Sequence, residues 1–417
     1  MSLAVRVALL GAMVAGVGGH AMAAEPAPNL DRVWSFVGSV LADNPEARAA
    51  TEREAQAFAT ADAMGAPLYN PEVEGGFEQF KRDDRRPSKY DFGVSLTVDV
   101  SGKQSARGRS GMGQAEAAAA DAQLARLEVG RRLLNAIAAV DAGRERLMNA
   151  QEQRAAARDF STITSKSFRA GDVGKPDTDI AVLSELDAES EYRAAEADAF
   201  AAEAELRQLC GCDLQSVPEL PAAPPAPADI QEPETERYIE GSLALLAARG
   251  RVNAAQGELD LANRNRIPDP TIAMGLGEED GQQLYRLTLS IPIPVLNTGE
   301  AESRAANRGL AARQLDLNAA RREAEAKLRA TYSRYVAAFA NLQNWRARGA
   351  AAVAARFDQL RRLLRAGDLQ TTDYLVQLRE TLVAAARGIE AEKAAWAAYA
   401  DWLLLTNTFP ISVGTKK

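Results

Sequence analysis

Few residues of this chain are of the types that carry out catalysis or hold a cofactor. The only histidine, His20, lies in an N-terminal segment that we predict to be removed. The mature chain then has no Ser-His pair, no Cys-His pair and no histidine-based metal site. The sequence also contains no glycine-rich phosphate loop that ends in Lys-Ser or Lys-Thr. It therefore predicts no enzyme, no cofactor and no metal centre.

The two cysteines, Cys210 and Cys212, are the remaining residues with distinctive chemistry. A disulfide between positions i and i+2 is expected to be strained, and a metal site would need ligands from elsewhere in the chain. One interpretation is therefore two small apolar residues at the end of a helix. The other is a redox or soft-metal role for two neighbouring thiols.

Charged residues around a repeated glycine form a second group of candidates. The tetrapeptide Arg-Ala-Gly-Asp occurs twice, and each time an aspartate follows at the same distance. Glycine suits the left-handed position that ends a helix, arginine suits the last helical turn, and the later aspartate suits the start of a returning helix. We therefore predict two helical hairpins, each with its tip at one copy. The tip residues are Arg169, Gly171 and Asp172 in the first copy, and Arg365, Gly367 and Asp368 in the second. The aspartates that follow them are Asp177 and Asp373.

The segments before the two tips have the pattern of long, paired helices. Apolar residues step by four and three over 328–342, as in a coiled-coil seam, and a similar seam precedes the first tip. The abundant alanine favours helices that pack closely. A helix from Gly102 to Phe168 would be about 100 Å long. Hairpins of this length must pack side by side with one another.

Each half also contains a pair of predicted strands. Apolar and polar residues alternate over 90–100 and over 285–295, about the length that a tilted strand needs to cross an outer membrane. Shorter strands precede them, so we predict β-hairpins at about 71–100 and about 270–295. The alternative is two ordinary amphipathic hairpins in a soluble α+β protein.

The N-terminus has the features of an export signal. Arg6 precedes an apolar run, and Ala21-Met22-Ala23 suits signal peptidase, so we predict a signal peptide over 1–23. The alternative is a membrane-anchoring helix, although residues 18–20 interrupt the run before it is long enough to span a bilayer. The net charge of −8 and the lack of a basic patch with aromatic residues argue against a nucleic-acid partner.

These elements predict two structural repeats in one chain. The predicted order is a signal peptide (1–23), a first repeat (24–217, tip near 171), a Pro/Ala-rich linker (218–234), a second repeat (235–407, tip near 367) and a short tail (408–417). Four strands cannot close a membrane barrel, and open edges in lipid are costly, so the chain must oligomerise. Three copies would supply twelve strands and twelve long helices. We predict a mainly α homotrimer in which coiled-coil hairpins form an α-barrel and twelve strands form an outer-membrane β-barrel.

This duplicated order of elements resembles the TolC-type outer-membrane efflux proteins. The resemblance covers essentially the whole mature chain and includes "NPE" at Asn44 and Asn70, "LSIPIPVLNTGEAESRAA" from Leu289 and "RAGDLQTTDYL" from Arg365. "VDVSGKQSAR" from Val98 is similar to the strand-to-helix junction of heavy-metal efflux members, with serine and glutamine in place of a glycine and an arginine. The resemblance implies a passive exit duct in the outer membrane, with its helical part in the periplasm.

The resemblance also implies partners and functional residues. The glycine turns at Gly171 and Gly367 would meet a periplasmic membrane-fusion adaptor. The adaptor would connect to an inner-membrane pump, for which the RND type is the leading candidate. Asp373 matches an aspartate near a constricted periplasmic entrance, whereas Val376 stands where the family can carry a second one. Asp177 and Asp179 are then expected to supply charge from the other turn.

The cargo and the class of duct stay open at this point. A metal cation and a small organic compound both fit a passive efflux duct. A type I protein-secretion duct has the same architecture with another partner, and a soluble periplasmic coiled-coil scaffold is an alternative of a different class.

Overall fold

The computed structural model describes residues 30–79, 88–279, 281–366 and 371–410. In the first half, two helices precede a β-hairpin, and two longer helices follow it. The elements are α1 (Leu30–Asp43), α2 (Pro45–Gly65), β1 (Glu72–Gln79), β2 (Ser88–Thr97), α3 (Lys103–Ala170) and α4 (Lys175–Cys210), followed by a 3-10 turn (Leu214–Ser216).

The second half repeats this order of elements. Its elements are α5 (Glu232–Glu240), α6 (Leu243–Asn265), β3 (Thr271–Glu279), β4 (Gln282–Ser290), α7 (Glu300–Asn344), a π-helical turn (Trp345–Gly349), α8 (Ala350–Ala366) and α9 (Thr371–Thr406). The predominance of helix and the two hairpins confirm the predicted fold class for one chain.

Two of the predicted strands are shorter at their ends than the alternation suggested. β2 ends at Thr97, because Asp99 turns back to accept hydrogen bonds from the backbone N–H of Gly102 (2.7 Å) and Gln104 (2.8 Å), and so caps α3. β4 ends at Ser290 rather than near residue 295, since the prolines that alternate with apolar residues over 291–295 cannot donate a ladder hydrogen bond.

The four strands form one antiparallel sheet in the order β1-β2-β3-β4. The central pairing joins the two repeats: Leu96 lies opposite Ile272, and Phe92 lies opposite Leu276. β1 and β4 are therefore the edge strands of the sheet, and each has one side without a partner strand in this chain.

The chain divides into two compact units, and each takes segments from both repeats. The sheet unit comprises Ala49–Leu124 and Ile239–Glu325. The helical unit comprises Met1–Arg48, Ala125–Tyr238 and Ala326–Lys417.

Within the sheet unit, α3 and α6 pack with their backbones in close approach. A Cβ added to Gly113 would overlap the backbone of Ala254, and one added to Gly257 would overlap the backbone of Ser110. Ser110 itself is only 1% exposed. The small residues thus let two helices approach more closely than larger side chains would allow.

Within the helical unit, aromatic side chains hold the proline-rich segment 217–231, which we call the strap. The indole N–H of Trp396 donates to the carbonyl of Pro221 (3.0 Å), and the hydroxyl of Tyr332 donates to the carbonyl of Ala228 (3.1 Å). The hydroxyl of Tyr335 donates to the carbonyl of Pro225. The strap forms no regular secondary structure apart from flanking turns, so these side-chain donors satisfy carbonyls that no ladder would.

The structure corrects the interpretation of the cysteines as two small apolar residues. Cys210 and Cys212 form a disulfide, and their Cα atoms are 5.1 Å apart. The intervening Gly211 has a φ of +62° and ends α4 in the left-handed conformation, with its N–H bonded to the carbonyl of Arg207. This turn brings two cysteines that are separated by one residue within normal reach of each other.

Candidate functional site

One face of the sheet is apolar along most of the length of its strands, and its polar residues, such as Glu278 and Gln283, lie at the end farthest from the helices. Residues that lie directly opposite each other on paired strands share a face, so the register assigns each side chain to one of two sides. The apolar side chains of this face are all at least 43% exposed in the single chain. They are Val73, Phe77, Tyr90, Phe92, Val94, Leu96, Ile272, Met274, Leu276, Tyr285, Leu287 and Leu289.

The opposite face of the sheet is polar and rich in glycine. Near the helices, the hydroxyls of Thr97 and Thr271 are hydrogen-bonded at 2.8 Å. At the other end, Lys89 forms an ion pair with Glu279 at 3.8 Å. The remaining charged side chains of this face are Glu72, Glu74, Glu78, Asp91 and Arg286. A sheet with one apolar and one polar face can separate lipid from water.

A buried ion pair joins the two repeats where the sheet meets the helices. The Lys103 ammonium contacts Asp269 Oδ2 at 2.8 Å, and their side chains are 8% and 3% exposed. The Tyr69 hydroxyl donates to the same carboxylate oxygen at 2.8 Å. The hydrogen bond to Asp269, together with burial, raises the pKa of Tyr69. This cluster was missed by sequence reasoning, although Lys103 stands within the junction motif.

The first predicted tip is a Schellman turn. Gly171 has a φ of +88°, its N–H bonds to the carbonyl of Phe168 (3.1 Å), and the N–H of Asp172 bonds to the carbonyl of Ser167 (2.9 Å). The Arg169 guanidinium donates to the carbonyl of Ser165 at 3.3 Å, within the last turn of α3. All three predicted tip residues are exposed. They are therefore available to a partner as well as necessary to the turn.

The two aspartates that follow this tip are tied to the start of α4. The Asp177 carboxylate accepts a hydrogen bond from the Gly174 N–H at 3.1 Å, which caps the helix. Asp179 forms an exposed ion pair with Lys175 at 3.5 Å. The negative charge of both residues is thus used locally in this single chain.

The second tip is described only in part. Gly367 and Asp368 lie outside the described residues, and Arg365 is described only as backbone at the end of α8. Asp373 is exposed in the first turn of α9. Its neighbour Tyr374 is buried in one apolar cluster with Ala181, Phe160 and Leu360, so the N-terminal parts of α4 and α9 contribute to the same core.

A cavity of about 470 Å³ opens beside this apolar cluster, within the helical unit. It lies between α3, α8 and α9. Its lining mixes charged and apolar side chains, among them Asp159, Ile163, Lys166, Phe357 and Arg361.

The part of the chain that the structure describes holds neither a metal-binding cluster nor a membrane-spanning helix. No group of three or more histidine, cysteine, aspartate or glutamate side chains is arranged there to hold a metal ion. None of the helices in the described ranges has both the length and the apolar run needed to cross a bilayer.

Comparison with known proteins links this arrangement to a family. Residues 36–212 match the family model "Outer membrane efflux protein". No curated protein sequence matches the chain.

Several solved structures have the same fold. The chain is similar to a membrane protein from Pseudomonas aeruginosa, with 16% identity, a TM-score of 0.76 and 90% of each chain covered. It is similar to the Campylobacter jejuni CmeC outer membrane channel, with 14% identity and a TM-score of 0.74, over 93% of this chain and 90% of CmeC. It is also similar to the Neisseria gonorrhoeae MtrE outer membrane channel, with 16% identity and a TM-score of 0.72, over 90% of this chain and 88% of MtrE.

The family match over the first repeat and the common fold over nine-tenths of the chain agree with the two-faced sheet and the duplicated hairpins. Residues 36–212 therefore match the outer membrane efflux protein family, and the chain as a whole shares the fold of solved outer-membrane channels.

Proposed function

We propose that three copies of this chain form one closed conduit, which acts as the passive exit duct of a tripartite efflux system. The observation that carries this proposal is the open, two-faced sheet. Its edge strands β1 and β4 have unpaired backbone groups, and each such group costs several kcal/mol in lipid. Pairing β4 of one copy with β1 of the next removes these edges, and three copies give twelve strands, which is an allowed size for a membrane barrel.

The experiment is a disulfide cross-link between the two edge strands. One cysteine replaces Val73 on β1 and another replaces Leu287 on β4, both on the apolar face. Oxidation of outer membranes should give a covalent trimer on a denaturing gel. The control is the pair Val73 and Leu276, since Leu276 is on the central strand β3 and cannot meet β1 of a neighbour. Covalent dimers that never extend to trimers, or no cross-link at any β1 position, would contradict the proposal.

The cargo of this conduit would arrive from an inner-membrane pump through a periplasmic adaptor. Among such pumps, the RND type is the leading candidate. We infer that the adaptor docks at the two tips, Arg169–Asp172 and Arg365–Asp368. The first tip supports this because its residues are exposed and a Cβ at Gly171 would meet nothing within 4 Å. The aspartates Asp177, Asp179 and Asp373 would then lie near the entrance.

Substitution of Gly171 by leucine tests the docking. Gly281, in the β3–β4 turn, is a matched control, since its φ is +81° and an added Cβ there also meets nothing. Both leucine variants carry a similar backbone strain, but only Gly171→Leu places a bulky group at the tip. We expect Gly171→Leu to lose efflux and adaptor cross-linking while the oligomer still forms, and Gly281→Leu to keep both. Normal efflux by Gly171→Leu would remove the tip from the docking surface.

The nature of the cargo separates the proposal from the secretion alternative. In an efflux duct the cargo is a metal cation or a small organic compound. Deletion of the gene should therefore make the cell sensitive to such a compound without changing its secreted proteins. Loss of one secreted protein with unchanged sensitivity would instead identify a type I secretion duct.

A further inference from the structure

The polar face of the sheet carries an excess of negative charge. Along its described strands there are five carboxylate side chains and two basic ones, which leaves three negative charges for each chain. We call this set of residues the acidic strip. The carboxylates are Glu72, Glu74, Glu78, Asp91 and Glu279, and the bases are Lys89 and Arg286.

Glycines keep the middle of the acidic strip free of other side chains. Gly93 and Gly275 separate Glu74 from Arg286 in one row of the sheet, and Gly76 and Gly277 flank Asp91 in the next. The Asp91 carboxylate leans over Gly76, where an added Cβ would lie 2.5 Å from Asp91 Oδ1. The result is a shallow hollow of about 50 Å³ with charged walls. Ions that pass along this face can therefore approach the carboxylates directly.

The sidedness of the sheet decides which surface meets water. Twelve large apolar side chains cover the other face, and exposed apolar area of this extent belongs against lipid or protein. In the conduit proposed above, on which this inference rests, the acidic strip lines the lumen three times over. Low-dielectric walls around a lumen with one sign of charge concentrate counter-ions by tenfold or more.

The first tip has no excess of negative charge. Its three aspartates, Asp172, Asp177 and Asp179, are balanced by Lys166, Arg169 and Lys175 over residues 166–179. Asp179 is also paired directly with Lys175. At the second tip, Val376 is apolar and 52% exposed three residues after Asp373.

We propose that the acidic strip on the sheet, rather than the aspartates at the tips, makes this conduit prefer cations over anions. The preference extends to any small cationic cargo, metal or organic, because the carboxylates act through their field and not through a coordination site. Glu72 and Glu74 are the first carboxylates that a cargo meets as it leaves the helices.

The test is the reversal potential of the purified full-length protein in planar lipid bilayers, measured across a KCl gradient. The wild type should pass K⁺ more readily than Cl⁻. The triple variant Glu72→Gln, Glu74→Gln and Glu78→Gln keeps the size of each side chain and removes three charges. Its permeability ratio for K⁺ over Cl⁻ should fall by about threefold or more. The effect should be large near 0.1 M salt and nearly absent near 1 M, where the Debye length is only about 3 Å.

Three further variants make the test decisive. Asp373→Asn, at the tip, should leave the permeability ratio unchanged, while Thr288→Glu, on the polar face, should raise it. The connector over 80–87 has more basic than acidic residues and lies outside the described residues, so Arg85→Gln with Arg86→Gln measures its separate contribution.

Two outcomes would overturn the inference while the conduit stands: an unchanged ratio in the triple Gln variant, or a fall in the ratio caused by Asp373→Asn. Failure of the β1–β4 cross-link to give a covalent trimer would instead overturn the conduit, and the inference with it.

Discussion

The contacts that stabilise the interior of the sheet unit differ in kind from those that stabilise the interior of the helical unit. In the sheet unit, α3 and α6 approach backbone to backbone over glycines, and a buried ion pair closes the junction with the sheet. In the helical unit, aromatic side chains hold the strap. Its helices also approach less closely at Gly143, where an added Cβ would lie 3.2 Å from Ala199 Cα, than at Gly113 and Gly257 in the sheet unit. Direct backbone contact leaves no side chain that can adjust, whereas side-chain contact leaves room for small shifts.

We infer from this difference that the sheet unit is the more rigid part of the chain and that the helical unit tolerates small adjustments. The π-helical turn at Trp345–Gly349 agrees with it, since such turns interrupt regular helix at functional positions. The indole of Trp345 lies against Gly349 and Gly388, where an added Cβ would overlap the ring.

Removal of one charge from the buried pair should have the largest effect. Lys103→Met leaves Asp269 charged, buried and without its ammonium partner, which should cost about 3–5 kcal/mol of stability. The measurement is thermal or urea unfolding of the purified protein, followed by far-UV circular dichroism. Adding Asp269→Asn to Lys103→Met should recover much of the loss, because the stranded charge is gone.

The matched control for this prediction is the exposed pair in the other unit. Lys175→Met removes the ion pair with Asp179, whose side chains are 78% and 60% exposed. Exposed pairs contribute about 0–1 kcal/mol, so this variant should be close to wild type. Equal losses for Lys103→Met and Lys175→Met would erase the contrast between the two units.

The second prediction concerns the close approach of α3 and α6. Gly257→Val places a branched side chain against the backbone of Ser110, so the two helices must move apart. Overpacking of this kind costs about 1–3 kcal/mol. The same unfolding measurement checks it. Gly309→Val is the control, since an added Cβ at Gly309 in α7 meets nothing within 4 Å, and it should cost about 1 kcal/mol at most. A Gly257→Val variant as stable as the control would show that the helix pair is compliant.

The sequence predicted the repeated parts of this structure well and the long-range pairs poorly. Alternation and alanine content located the strands and the long helices because these signals are local. The Lys103–Asp269 pair joins residues that are 166 positions apart, and nothing in the local pattern around either residue identifies its partner. The glycine contacts of α3 with α6 were similarly invisible, although the alanine-rich composition predicted closely packed helices.

The remaining errors have local causes that sequence reasoning weighed wrongly. The alternation over 285–295 continued through two prolines, and hydrogen bonding, rather than side-chain pattern, ended β4 at Ser290. The disulfide between Cys210 and Cys212 depends on the left-handed conformation of Gly211, which the rule on cysteine spacing did not take into account. The roles of the tip residues stay a prediction.

The third prediction is a pH dependence of the helical unit. Asp141 accepts a hydrogen bond from the Leu220 N–H of the strap, and burial raises the pKa of Asp141 to about 6. Since an unfolded aspartate titrates near 3.9, the folded state binds the proton more tightly. Stability should therefore fall as the pH rises from about 4 to about 6, by about 2–3 kcal/mol for this group.

Stability measured against pH in Asp141→Asn tests this dependence. The amide can still accept from Leu220 but does not titrate, so the variant should lose this part of the slope and become more stable than wild type above pH 6. Asp187→Asn, at an exposed position in α4, should keep the slope. If the Asp141→Asn variant keeps the slope as well, the pH dependence of stability does not come from Asp141.

The smallest effect is expected at the first tip, where the backbone alone is strained. Gly171→Ala introduces a Cβ that meets no neighbour. The alanine must, however, adopt a φ of +88°, and this left-handed conformation costs a residue with a Cβ about 1 kcal/mol. Gly171→Asn should cost less, since asparagine tolerates this conformation better than alanine. Unfolding measured on both variants beside Gly257→Val gives the comparison directly. A loss of stability at Gly171 as large as that at Gly257 would mean that the tip is packed as rigidly as the α3–α6 contact. The contrast between a rigid sheet unit and an adjustable helical unit would then fail at the position where a partner is proposed to dock.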